Sequence, residues 1–451
     1  MGNIAIGGQN PIRIQSMATV DTNDTEGCVA QAKRIIDAGG ELVRFTTQGI
    51  REAENMRNIS ARLKQDGYPQ PLVADVHFTA HTADVAAQNC EKVRINPGNY
   101  VDPGRTFQHI EYTDEEYQAE LQKIEQKLVP FINICREHKT AVRIGVNHGS
   151  LSDRIMSRYG DTPEGIVESC MEFLRIFRRE QFDDVVISIK ASNTVVMVQT
   201  VRLLVRTMDR EDMHYPLHLG VTEAGEGVDG RIKSAVGIGA LLTEGIGDTI
   251  RVSLSEDPEC EIPVARKIVD FIEECTLLRA EAEAGIHDGW ISLRFTDEMP
   301  WKDLELKCAM AVGAALIDKK ADKLCISYGY GFSFVPQERL LQLEDAILQA
   351  ARVKFTKTEY ISCPGCGRTL YNLQDTIARI KAATGHLVGL KIGIMGCIVN
   401  GPGEMADADY GYVGAGRGKI SLYRRKECVA KNIPEEEAVE RLLELIENDQ
   451  K

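Results

Sequence analysis

Residues 141–192 read AVRIGVNHGSLSDRIMSRYGDTPEGIVESCMEFLRIFRREQFDDVVISIKAS, and their reading decides the fold. AVRIGVN and DVVISIKAS are short, apolar and rich in β-branched residues, the composition of buried strands. Between them, from Thr162 to Phe177, apolar residues recur at helical spacing. A strand, a helix and a second strand make one β/α/β unit.

Working outward, the same alternation runs from residue 11 to residue 260. PIRIQSM, ELVRFTT, PLVADVHF and KVRINPG precede this unit, LHLGVTE and DTIRVSLS follow it, and Thr25 to Ala38 is a second clear helical stretch. Eight β/α units in about 250 residues make an α/β fold, a TIM-type (β/α)8 barrel. A doubly wound open sheet is the alternative, but no G-x-G-x-x-G follows the first strand.

Each of five strands carries a single cation in an otherwise apolar run: Arg44, Arg94, Arg143, Lys190 and Arg251. Burying an unpartnered charge costs several kcal/mol. Asp75 and Glu223 are the obvious internal partners, and two acids cannot neutralise five bases. The surplus implies an anionic ligand with more than one negative charge, and guanidinium forks suit phosphate oxygens. A phosphorylated or diphosphorylated small molecule is therefore expected at the C-terminal mouth of the barrel. Polar residues at the strand ends add hydrogen bonding there: Asp75, His77, Asn96, Asn147, Ser192, Asn193, Glu223 and Ser253. His77 and His148 read as structural hydrogen-bonders. Glu223, on the Gly-rich VTEAGEG, reads as a proton relay or substrate anchor.

The C-terminal part carries a different chemistry. Cys363 and Cys366 form a C-x-x-C in TEYISCPGC, and Cys397 lies further on in GIMGCIVNGPGEMADADYGY. Three thiolates suit a soft metal, either tetrahedral zinc or an iron-sulfur cluster. Zinc would want a fourth ligand, for which Cys428 is available, although no second C-x-x-C exists. The turn Asn400-Gly401-Pro402-Gly403 can swing Glu404 back toward the metal held by Cys397, which favours a cluster with one exchangeable oxygen ligand.

CPGCGRTL and MGCIVNGPGE together resemble the 4-hydroxy-3-methylbut-2-enyl diphosphate synthases, reductive iron-sulfur enzymes of the methylerythritol phosphate route to isoprenoids. The likeness also runs over the N-terminal two-thirds. It implies a 4Fe-4S cluster on Cys363, Cys366, Cys397 and Glu404. It further implies a cyclic diphosphate held by Arg44, Arg94, Arg143, Asn147, Lys190, Arg251 and Ser253, with Glu223 and Glu404 at the active site. The implied reaction is two-electron reductive opening of 2-C-methyl-D-erythritol 2,4-cyclodiphosphate, with reduced flavodoxin or ferredoxin as donor. A zinc-stabilised barrel that binds a phosphorylated metabolite is the rival reading.

Residues 1–260 are thus expected to form the barrel and 357–451 an α+β cluster domain. Between them, 261–356 reads as a helix (VARKIVDFIEECTLLRAEAEAG) followed by two β/α units, WISLRF with WKDLELKCAMAVGAALID, and DKLCISYG with PQERLLQLEDAILQAARVK. This resembles the tail of the large insert in plant-like members, with most of the insert missing. Two such units make a poor independent core, so they should pack on the barrel or at a subunit interface; a homodimer closing in trans and a single chain closing on itself both stay open. Cys260, Cys275, Cys308 and Cys325 fall on apolar positions and read as buried small hydrophobes.

Composition sets the bounds. The chain has 451 residues, 43% of them hydrophobic, so it can build two or three real cores. Its 12 cysteines are scattered apart from the one pair, which fits reduced thiols in a cytosol. A net charge of −14 argues against a nucleic-acid partner. MGNIAIGGQNPIRI has no secretory pattern, and no apolar run approaches a membrane span, so a soluble cytoplasmic protein is expected. Arg424-Arg425-Lys426 reads as a solvated edge, with docking of an acidic electron donor as the alternative.

Overall fold

The computed structural model describes residues 1–77, 79–102, 109–328, 335–369, 371–398, 401–405 and 407–450. Eight parallel strands run β1 (Arg13–Met17), β2 (Leu42–Thr47), β3 (Leu72–Val76), β4 (Lys92–Ile95), β5 (Ala141–Asn147), β6 (Val185–Lys190), β7 (His218–Leu219) and β8 (Thr249–Ile250). Each pairs with its neighbours in sequence, β8 pairs with β1, and a parallel bridge from Ile187 to Leu217 closes β6 on β7. The result is a (β/α)8 barrel, as the strand and helix periods require.

The helices begin where side chains can take up free backbone N–H groups. Asp24 caps the helix Thr25–Asp37 by accepting from Gly27 N, and Thr162 caps Pro163–Arg179 by accepting from Gly165 N. Asn193 caps Thr194–Arg210 in the same way.

The segment after the barrel holds β9 (Trp290–Phe295) and β10 (Lys323–Tyr328), a two-stranded parallel sheet, with three flanking helical stretches. The helix expected over residues 264–285 is two helices, Glu261–Asp270 and Ile272–Ala284, separated at Phe271. The bend lets the first half cover β1 while the second follows β9 and the helix Trp301–Ile317. Trp301–Ile317 is apolar nearly all round, the mark of a helix with no solvent face. It lies on the barrel helix Gly227–Leu242, where Gly239 faces Met310 and Gly313 faces the Val236 backbone. Barrel and insert consequently share one continuous hydrophobic core.

Two of the four cysteines expected to be buried here are not. Cys275 and Cys308 are buried, but Cys260 is exposed on a short turn after the barrel, and Cys325 lies on the open face of the β9–β10 sheet.

The C-terminal domain is a five-stranded mixed sheet with two separate cores. Its strands are β11 (Glu359–Ser362), β12 (Lys391–Met395), β13 (Tyr410–Gly416), β14 (Lys419–Arg424) and β15 (Glu427–Pro434). The first three run parallel and the last two antiparallel. β11 and β15 do not stand out in sequence: β15 alternates exposed and half-exposed residues because it is an edge strand.

Among the described residues, no helix is long and apolar enough to cross a membrane.

Candidate active site

Alternate side chains of each barrel strand point inward, and the upper ones meet the C-terminal domain across one pocket. Arg44, Lys190, Arg251, Asn147, Glu223 and Ser253 line it from the barrel, and Cys363, Cys366, Cys397 and Glu404 line it from the other side. It is a concave site whose walls come from both domains. Both halves belong to one chain.

The cations divide into two levels. Arg44 donates from Nε and Nη2 to Met17 Sδ at 3.0 and 2.7 Å, and Asp75 Oδ2 stands 3.9 Å away. A thioether is a weak acceptor, so the Arg44 charge is largely unspent. Arg251 is held by Glu261 through two bonds of 3.0 and 2.9 Å. Deeper, Arg94 donates to Asp75 Oδ1 (3.1 Å), Gly145 O (2.8 Å) and Asn147 Oδ1 (2.7 Å). Arg143 donates from Nε to Ser188 Oγ at 3.1 Å, while its Nη1 and Nη2 are buried and have no hydrogen-bond partner among the described residues. Neither Arg94 nor Arg143 lines the pocket.

The internal acids are Asp75 and Glu261, not Asp75 and Glu223: among the described residues Glu223 makes no ion pair with a barrel cation. Glu261 escapes a strand-based reading because it opens the helix after β8. Lys92 on β4, a sixth barrel cation, is fully buried with no partner for Nζ among the described residues.

The charge balance shows in the proton affinities. Burial, then the surrounding arginines, push the Lys190 amine well below its ordinary range. Burial lowers Arg44 to about 10 against the pull of Asp75, with Arg251 and Arg94 adding to the fall. Burial opposes charge on Asp75, but Arg44 and Arg94 prevail and hold it well below the usual carboxylate range. An incoming anion would relieve the crowded cations.

The remaining strand-end residues serve structure. His77 lines the pocket but is held neutral by burial, its affinity lowered to about 3, with its Nε2 2.8 Å from Arg94 Nη1 and 3.4 Å from Asp75 Oδ2. His148 lies outside the pocket, 2.6 Å from Asp161. Asn96 accepts from Gly98 N and donates to Ser150 Oγ. Ser192 donates to Glu404 O and Asn193 to Asp407, both at 3.4 Å, so these two fasten the domains together.

Local geometry aims the thiols. Cys363 follows β11, its amide donating to Ile394 O, and the loop turns at Gly365 (φ +82°), whose N–H donates to Cys363 Sγ at 3.2 Å. Cys366 N donates to Thr369 Oγ1, and Cys397 lies two residues beyond the end of β12. Ser255, beyond β8, donates to Ser362 O and Cys363 O at 3.2 and 3.0 Å, and Ala224 bridges to Ser362. Glu404 ends the single helical turn Gly401–Glu404; Asn400 of the expected turn lies outside the described residues. Thr222, which the sequence reading missed, donates to Glu404 Oε2 at 3.4 Å and lines the pocket.

This donor set fits a metal cluster. Burial raises Cys363, and the charges of Cys366, Glu223 and Cys397 raise it further. Burial and then Glu223 push Glu404 well above its ordinary value. Neighbouring acids that hold one another's protons are what a cationic centre would displace. Among the described residues, no three His, Cys, Asp or Glu converge tightly enough for a single ion. A polynuclear cluster takes each thiolate at its own iron, so its ligands stand farther apart than ligands about 2.3 Å from one zinc. Cys428, the fourth ligand that zinc would want, is not in the pocket lining, and its thiol faces Ala430 O.

Arg424, Arg425 and Lys426 lie at the other end of the sheet from Cys397: Arg424 pairs with Tyr410, beside Ile392, at the start of β12.

The profile of the GcpE TIM-barrel domain matches residues 1–266, and that of the GcpE protein C-terminal domain matches 359–448. The chain belongs to the GcpE family. Curated relatives carry the name 4-hydroxy-3-methylbut-2-en-1-yl diphosphate synthase (flavodoxin). One from Bacteroides fragilis is 51% identical over 592 positions, covering 99% of this chain and 94% of the relative. One from Bacteroides thetaiotaomicron is 51% identical, covering 100% and 97%, and one from Akkermansia muciniphila 41%, covering 99% and 95%. An alignment of 592 positions to a GcpE chain of 451 residues leaves a long stretch of the relative without a counterpart here.

Proposed function

We propose that the chain reductively opens 2-C-methyl-D-erythritol 2,4-cyclodiphosphate to 4-hydroxy-3-methylbut-2-enyl diphosphate in the cytoplasm, taking in two electrons and two protons and releasing one water. The observation that supports this most is the single pocket in which under-neutralised barrel cations face three thiols and a carboxylate. The names of the relatives support both the reaction and reduced flavodoxin as donor.

Cys363, Cys366, Cys397 and Glu404 would hold a 4Fe-4S cluster. Bound there, it supplies the electrons one at a time. The chain's own residues do the rest. Arg44, Lys190 and Arg251 grip the diphosphate and stabilise the leaving phosphate oxygen as the ring opens. Arg94 holds Asn147 by its Oδ1, which leaves the amide N–H groups to donate into the pocket. Arg143 adds positive potential from below, and Ser253 offers a hydroxyl at the rim. The C-terminal domain excludes water from the mouth.

Glu223 is suited to carry a proton. Burial raises its affinity, and its Oε2 is buried with no hydrogen-bond partner among the described residues. Its backbone is left-handed (φ +50°), a strained state for a side-chain-bearing residue of the kind found at functional sites. Glu223→Gln should lower kcat by roughly a hundredfold or more while substrate Kd holds. An unchanged kcat would remove the role.

The function is tested by anaerobic reconstitution and assay with the cyclic diphosphate and reduced flavodoxin. The expected result is a brown, iron-containing protein that forms the allylic diphosphate. A colourless, iron-free and inactive protein would overturn the reading in favour of the zinc-stabilised barrel.

A further inference from the structure

Arg368 enters the pocket from the C-terminal domain, two residues after Cys366. It is 8% exposed, and its Nε and Nη1 are buried with no hydrogen-bond partner among the described residues. Its charge is favoured by Cys366 and Cys397 on the thiol side and is felt by His77 and Arg94 beneath. It therefore stands between the thiols and the cationic mouth of the barrel. Its backbone is pinned: a Cβ on the preceding Gly367 would lie 2.9 Å from Val20 O, in the loop after β1.

A buried guanidinium with two unused nitrogens costs free energy unless an acceptor arrives. Asp75, the barrel carboxylate whose charge Arg368 feels, is already engaged by Arg94 and Arg44. The acceptor must come from the pocket itself.

We infer that Arg368 is a substrate-binding residue carried by the closing domain, which donates through Nε and Nη1 to a diphosphate oxygen. The anion is then gripped from both sides, and its binding favours the closed arrangement of the domains. This inference rests on the diphosphate reading of the pocket.

The test is calorimetric binding of inorganic pyrophosphate to the anaerobically purified holoenzyme, compared with Arg368→Gln, Arg368→Lys and Arg44→Gln. Arg368→Gln should weaken binding roughly ten- to a hundredfold at normal iron content. Arg368→Lys, which keeps the charge without the fork, should recover part of the loss, and added guanidinium should restore binding to Arg368→Ala. A purely structural arginine would show neither rescue. If Arg44→Gln loses pyrophosphate while Arg368→Gln and Arg368→Lys bind it as wild type does, the assignment of Arg368 is overturned and the pocket reading stands. If wild-type protein fails to bind pyrophosphate, the pocket reading falls and takes this inference with it.

Discussion

Replacing Gly149 with Ala should cut turnover by about a hundredfold while iron content and barrel structure are kept. Gly149 lies in the turn His148–Ser150 after β5, pressed against Gly403 in the turn that presents Glu404. A Cβ on Gly149 would overlap the Gly403 carbonyl carbon and the Glu404 amide, and one on Gly403 would overlap the Gly149 backbone. Both obstacles are backbone, so no flexible side-chain tip can yield. The domains must separate, and a displacement near 1 Å at a reacting centre can cost about a hundredfold in rate. Parallel measurement of kcat, iron content and circular dichroism checks this; an unchanged kcat would show that the contact is dispensable.

The second large effect concerns stability. Glu261 is 1% exposed and takes two bonds from Arg251, one from Ser16 Oγ at 2.6 Å and one from Leu254 N at 3.2 Å. Glu261→Ala leaves Arg251 buried beside other cations without its counter-charge. Removing one partner of a buried pair costs roughly 3–5 kcal/mol, so the denaturant midpoint should fall sharply. Asp66→Ala, which breaks the surface pairs of Asp66 with Lys33 at 2.7 Å and Arg62 at 3.1 Å, is the control and should shift the midpoint far less, because surface ion pairs contribute little. Equal shifts for the two variants would contradict the role given to Glu261.

The barrel is legible in the sequence because short β-branched apolar runs alternate with helical stretches, and each cation stands out as the single charge in such a run. Height along the barrel is less legible. Arg143 precedes Asn147 by four residues, about 13 Å of strand, and Arg94 lies in register with Arg143, whereas Lys190 lies in register with Asn147. All three cations look alike in sequence, yet only Lys190 lines the pocket. Glu261 and Arg368 were missed for another reason: each reaches the barrel interior from a different segment, and no local periodicity signals a tertiary ion pair or a side chain crossing between domains. The three cysteines and Glu404 stood out because their residue types are chemically specific, while the edge strand β15 stayed hidden because its exposed face carries no apolar alternation.

The central claim is that one chain supplies both halves of the pocket. Its most direct test is co-expression of Arg44→Gln, impaired in the barrel, with Cys397→Ser, impaired in the C-terminal domain, followed by assay of the mixed population. Closure within one chain predicts no more activity than the two variants show alone. Restoration of a substantial part of wild-type turnover would mean that each C-terminal domain closes over the barrel of a partner subunit, and would contradict the account.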